Sequence, residues 1–255
     1  MHRGPWLPLL EGDLARQARE AVDDIAADLQ KTGDGDASLA EGRAGQALFF
    51  AYLGRFSGEE GYLGVSERLL DEATDALVEV PMHAGLYSGF PGIAWAEQHL
   101  AGFLGFKDDP DDDAGREIDE AVLAVLSQTP WPESVDLRRW LAGIGVYAIE
   151  RLPRSAARAC LERVLAHLAD LAERGPDGAK WFTPPNLLGS WALSFAPNGR
   201  YDLGVAHGAP GIISLLAEVH RLGLLDARGI SLLEEAIRWL LARMDEQSGG
   251  PGCFS

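Results

Sequence analysis

Apolar residues recur along this chain at steps of three and four. In EGDLARQAREAVDDIAADLQ the stripe is Leu14, Ala18, Val22, Ile25 and Leu29, with charged residues on the other face. CLERVLAHLADL repeats the pattern through Leu161, Val164, Leu165, Leu168 and Leu171. SLLEEAIRWLL does so through Leu232, Leu233, Ala236, Ile237 and Leu240. This period predicts amphipathic helices that each bury one face. Runs of alternating Val, Ile and Thr are missing, so no strand is predicted.

A second class of segment interleaves with the first. AGQALFFAYLG, PGIAWAEQHLAGFLG, AGIGVYAIERL and APGIISLLAEVHRLGLL carry little charge and are apolar around most of a helical circumference. Helices of that kind sit inside, with other helices around them. Each begins at a turn of small residues, and the turns align: GRAGQALFFAYL, GFPGIAWAEQHL, WLAGIGVYAIER and GAPGIISLLAEV share a glycine at 45, 92, 143 and 211. The spacings are 47, 51 and 68 residues. A period near 50 with one amphipathic and one buried helix per unit predicts an all-α array of helical hairpins. Pro91 and Pro210 suit a first helical turn, where a missing N–H costs nothing.

Two connections stand out. KDDPDDDAG is an acidic segment, read as a solvated loop that lacks the spacing of a dedicated calcium site. WFTPPNLLGSWALSFAPNGRYD is more than 20 residues long with several aromatics, Tyr201 among them, which suggests a functional rim. Tyr201 is taken as a candidate substrate-binding residue.

Composition narrows the partners. At 255 residues and 47% hydrophobic content, a globular chain with a sizeable core is expected, taken as a single domain over 1–255. The net charge of −17 disfavours nucleic acid, whose phosphates such a surface repels. Cys160 and Cys253 are too few for a disulfide framework. No window reaches the roughly 18–20 apolar residues of a membrane span, and the first residues are too broken by proline for a signal peptide. The cytoplasm is the default location.

The four turn segments carry a resemblance. SLAEGRAGQALFFAYL, GLYSGFPGIAWA, VDLRRWLAGIGVYAIERL and YDLGVAHGAPGIISLLAEV resemble, in order, successive blocks of the lanthionine synthetase C family, and GVAHGAPG is the most specific of them. The resemblance implies an α/α toroid, an inner ring of helices inside an outer ring. Full-length members have seven hairpins, so about four to five hairpins here imply an incomplete ring, truncated at its C-terminal side. It also implies thioether formation, in which a cysteine thiolate of a precursor peptide adds to a dehydroalanine or dehydrobutyrine. Asp136 in VDLRRWLAG and His207 in VAHGAPG match family catalytic positions. Trp140 stands where the family often has the first glycine of the third turn. Family zinc is held through Trp-Cys-Tyr-Gly and Cys-His-Gly motifs, and neither occurs here. Cys253 in GCFS is not followed by Tyr-Gly and is not assigned as a ligand, and the family's catalytic arginine is not recognisable. No metal site and no cofactor are therefore expected in the chain as written.

The residues support the proton steps better than the thiolate step. Thiolate addition makes an enolate that must be protonated at its α carbon, and a histidine can be that acid. Asp136 could orient the imidazole. The bland alternatives are a helix cap for Asp136 and a backbone-bonding turn residue for His207. His83, ahead of the second turn, could face the same rim and is a second candidate substrate-binding residue. Cys160 sits in a helical stripe and reads as a small core residue. His167 and His220 lie within helices with little functional signal. Expected partners are a peptide substrate and a protein or chain segment supplying the missing hairpins. Two other functions remain open: a non-catalytic binding scaffold, and a glycan-acting enzyme using Asp136 and Asp202.

Overall fold

A computed structural model describes residues 9–31, 35–105 and 115–243. The acidic segment, all but its final glycine, and Cys253 lie outside the described residues. The buried-helix segments become α2 (Arg43–Ser57), α4 (Phe90–Leu104), α6 (Leu141–Glu150) and α9 (Ala209–Arg221). The amphipathic ones become α1 (Gly12–Lys31), α3 (Glu60–Glu79), α5 (Arg116–Leu126), α7 (Ser155–Leu171) and α10 (Ala227–Leu241). The first group forms the inner layer: α2 packs beside α4, α4 beside α6, and α6 beside α9. The second group wraps the outside, with α3 on α2 and α4, α5 and α7 against each other, α7 on α6, and α10 on α9.

The core lies between the layers. Ile93, Ile144 and Ile212, each the residue after the shared glycine, are fully buried, and each contributes about 1.5–3 kcal/mol of transfer free energy. The first unit has Gln46 at that position, only partly buried, at the open end of the array. Apolar residues remain exposed at the other end, with Val205 and Leu241 both 57% accessible.

The four turns are joined by a backbone ladder. Ala40 N–H donates to the Tyr87 carbonyl at 2.8 Å, Tyr87 to Arg138 at 3.4 Å, and Arg138 to Ala206 at 3.0 Å. All four residues sit five before their glycine, so neighbouring units dock in one register. The glycines are required by contact. A methyl group at Gly45, Gly92, Gly143 or Gly211 would press on the carbonyl oxygen six residues earlier. At Gly92, Gly143 and Gly211 it would also meet the Cβ of Leu39, Leu86 or Leu137 from the preceding turn, at 3.0, 2.9 and 3.1 Å.

Trp140 is tolerated for a visible reason. The other inner helices are N-capped by Gly42, Gly89 and Gly208 with ψ between −165° and −177°, and a Cβ there would strike the residue six positions back. Trp140 instead takes ψ −107° with a negative φ, which moves its side chain out to pack against Trp131 and His83.

The expectation of no strand is corrected. Between α7 and α9 the chain forms two small antiparallel ribbons, β1 (Glu173–Gly175) with β2 (Gly178–Lys180), and β3 (Phe182–Thr183) with β4 (Arg200–Tyr201). Between β3 and β4 lie a 3-10 turn at Pro185–Leu187 and the short helix α8 (Ser190–Phe195). Two- and three-residue strands are too short to show alternation. Their position is set by tertiary contact: Trp181 is buried and its Nε1–H donates to the Leu168 carbonyl of α7 at 2.9 Å.

Candidate functional site

All four turns have a structural requirement that can be subtracted. Nine residues before the shared glycine stand Asp36, His83, Ser134 and Asp202. Three of them accept from the backbone N–H two residues on: Asp36 Oδ1 from Ser38 at 2.7 Å, His83 Nδ1 from Gly85 at 3.0 Å, and Asp202 Oδ1 from Gly204 at 2.7 Å. This is a local Asx-type device that folds the turn.

His83 is thereby committed to its own turn, with its Nε2 also 3.2 Å from the Ser88 hydroxyl and its ring against Trp140. Asp202 is likewise committed, and it pairs with Arg200 as well. Asp202 therefore has a structural role in its own turn. Tyr201 lies on β4, donates to Glu173 Oε2 at 2.6 Å, and has the Lys180 ammonium over its ring. No described contact joins His83 or Tyr201 to Asp136 or His207.

Asp136 and His207 stand at two further positions, and Asp136 shares a turn role with Ser38: Ser38 Oγ accepts from Glu41 N–H at 3.3 Å as Asp136 Oδ1 accepts from Arg139 N–H at 2.6 Å. Seven before the glycine, the other turns carry Ser38, Gly85 and Gly204; four before it, they carry Glu41, Ser88 and Arg139. The two exceptions meet across 71 residues, with His207 Nδ1 3.1 Å from Asp136 Oδ2. A carboxylate oxygen accepts, so Nδ1 carries the proton and Nε2 is left as the other ring nitrogen. Asp136 is almost fully buried, while His207 keeps a third of its side chain exposed.

The aspartate is pinned on both oxygens. Arg139 N–H donates to Oδ1 at 2.6 Å, and the buried Ser134 hydroxyl donates to Oδ2 at 3.1 Å. Asp136 is therefore a turn acceptor and an imidazole orienter together, and the cap of α6 is Trp140. Ser134 was not singled out by sequence; its place two residues before Asp136 was the available signal. Arg139 links the turn to the rim, donating from Nη1 to the Leu187 carbonyl at 3.4 Å.

The remaining candidates read as structure. Cys160 is buried in α7 and contacts the Asp119 carbonyl, and burial pushes its thiol up to about 12, with the Asp119 charge acting in the same direction. A thiol held protonated and bonded to backbone in this way favours a packing role for Cys160. His167 is buried, its Nε2 2.8 Å from the Leu126 carbonyl, and His220 is exposed.

At the far end of α6 lies a buried cluster that sequence reading missed. Arg151 donates from Nε and Nη2 to Asp119 at 3.2 and 3.0 Å, and the Tyr147 hydroxyl donates to the same carboxylate at 2.5 Å. Burial first, and the Asp119 bond second, push the Tyr147 phenol well above its ordinary value.

Residues 33–254 match the family model for lanthionine synthetase C-like proteins. The chain belongs to that family. Among solved structures it is similar to nisin cyclase, at 20% identity and a TM-score of 0.69, over 87% of this chain. That similarity establishes the α/α-toroid fold, and the chain spans 57% of the length of nisin cyclase. No curated protein matches it. Family zinc requires a cluster of thiolate and imidazole donors. Among the described residues no three His, Cys, Asp or Glu side chains are grouped to hold a metal, and Cys160 is a buried thiol bonded to backbone, so these residues do not fit zinc. Among them, too, no helix is long and apolar enough to cross a membrane.

Proposed function

We propose that this chain is the part of a lanthionine-cyclase-like toroid that holds a peptide and carries its proton-transfer group. The observation that carries the reading is the 3.1 Å His207–Asp136 bond, in which a carboxylate that also folds its own turn meets a histidine that none of the other three turns carries at that position. Asp136 fixes the tautomer and ring plane of His207. With Nδ1–H held by Asp136, His207 Nε2 takes up a proton from solvent, and the resulting imidazolium delivers that proton to the α carbon of the enolate left when a peptide thiolate adds to a dehydroalanine or dehydrobutyrine. Nothing in the described donor set generates that thiolate, so the chain by itself binds peptide and does not accelerate ring closure. Further hairpins, on a longer chain or a separate protein, complete the ring, and a cytoplasmic location suits such a peptide-modifying enzyme.

The test uses a peptide holding one cysteine and one dehydroalanine. Binding is followed by fluorescence anisotropy, and ring closure by loss of the thiol that N-ethylmaleimide labels. Binding to the wild-type chain, weakened in His207→Gln, with closure at the rate of peptide alone, is expected. A chain that fails to bind the peptide overturns the reading.

A further inference from the structure

A second ordered set of acid–base groups lies away from the turns. Seven residues after the shared glycine, the inner helices α2, α4 and α6 carry Tyr52, His99 and Glu150. That places them about 10 Å along the helices from the turn end. His99 Nδ1 is 2.9 Å from Glu150 Oε1, and its Nε2 is 2.8 Å from the Tyr52 hydroxyl. The carboxylate accepts, so Nδ1 carries the proton; Nε2 then offers its lone pair to the Tyr52 O–H. The order carboxylate, imidazole, hydroxyl is the arrangement that activates a hydroxyl nucleophile.

Two stacks hold the rings in this alignment. Trp95 lies on His99 at 4.7 Å and 11°, and Phe103 lies on Tyr52 at 4.1 Å and 21°. Arg55 sits over the outer neighbour Phe103. Tyr52 is 43% exposed as a residue, and the side chains of His99 and Glu150 are 27% and 31% exposed. The repeat does not demand this trio: the fourth inner helix has Glu218 at the same position, paired with Arg221.

We infer that Tyr52 is an activated phenol, an acyl-acceptor site for small activated carbonyl compounds, with His99 as its base and Glu150 as the orienter of His99. This goes beyond the proposed peptide function and does not depend on it. In the reaction the Tyr52 oxygen attacks the carbonyl carbon of the donor and its proton passes to His99 Nε2. The bond from carbonyl to leaving group then breaks, and the leaving group takes the proton from His99. Tyr52 ends as an ester and His99 returns to its starting state.

The probe is N-acetylimidazole at pH 7.5, with the acetylated tyrosines quantified by peptide mass spectrometry over time. Tyr201, 37% exposed, with its hydroxyl donating to the Glu173 carboxylate, the Lys180 ammonium over its ring and no histidine among its described hydrogen-bond partners, is the internal reference. A positioned base is worth about 10²–10⁴-fold in favourable cases, so Tyr52 is expected to react at least about tenfold faster than Tyr201. His99→Gln keeps an acceptor for the phenol but removes the base, and should bring Tyr52 to the Tyr201 rate. Glu150→Gln, which keeps an acceptor for Nδ1, should give an intermediate rate. Equal rates at Tyr52 and Tyr201 in the wild-type chain, or an unchanged Tyr52 rate in a folded His99→Gln, would mean that the trio only clamps helices together and would overturn the inference.

Discussion

Replacing Asp136 tests the site and the fold at once. Its carboxylate accepts from Arg139 N–H at 2.6 Å, from Ser134 Oγ at 3.1 Å and from His207 Nδ1 at 3.1 Å. Hydrogen bonds to a charged group are worth about 1.5–3 kcal/mol each when buried, and a stranded buried donor costs about 1–3 kcal/mol. The His207 bond is discounted because that ring is a third exposed. Asp136→Ala therefore strands the Arg139 N–H and the Ser134 hydroxyl, for a loss of about 3–5 kcal/mol.

Asp136→Asn is milder. Its carbonyl oxygen can keep the Arg139 bond, and the Ser134 hydroxyl can rotate to accept from the amide, so the loss is about 1–3 kcal/mol. At about 2–4 °C per kcal/mol for a chain of this size, the melting temperature falls by several degrees for Asn and by roughly twice that for Ala. The asparagine also changes the chemistry of the histidine. An amide N–H facing Nδ1 requires an acceptor there, so the proton moves to Nε2. Imidazole 15N shifts read that switch directly, and urea denaturation reads the stability. An Asp136→Ala chain as stable as wild type, or an asparagine variant whose His207 keeps its proton on Nδ1, would refute the reasoning.

Three further outcomes are expected. Asp119 and Arg151 are almost fully buried and doubly bonded, so Asp119→Ala should cost about 3–5 kcal/mol in urea denaturation. Asp119→Leu combined with Arg151→Met should recover much of that loss, and a double variant no better than the single one would count against a desolvation cost. Cys160, pushed up to about 12 from an ordinary 9.0, should resist iodoacetamide in the native chain at pH 8. Its folded value is the higher one, so its contribution to stability is complete below about pH 9 and is lost as pH rises toward 12. Cys160→Ala should flatten that alkaline decline in thermal melts, and rapid native alkylation would contradict the burial argument. Gly92→Ala should destabilise by several kcal/mol, because its methyl would overlap the Leu86 carbonyl and crowd Leu39 Cβ. An alanine variant within about 0.5 kcal/mol of wild type would show that the turn can shift.

The sequence by itself determined the helices, their division into inner and outer layers, and the shared turn. These follow from local periodicity and from glycines whose missing side chain is required within a few residues. It also marked His207 as the histidine that the turn does not need, because the other three turns show what that position does without it. Proximity across the chain was another matter. The 71-residue closure between Asp136 and His207, the Asp119–Arg151 pair and the Tyr52–His99–Glu150 alignment each join different elements, whereas the Ser134 hydroxyl reaches Asp136 within one turn. The strands of the rim were equally invisible, since two residues carry no period. His83 looked like a site residue for the same reason that His207 did, a histidine near a glycine turn. Only the turn's own hydrogen bond, from Gly85 N–H to His83 Nδ1, separated them. Local pattern fixes which faces are buried; which side chains meet is decided by the register in which neighbouring turns dock, and that register exists only once the helices have packed.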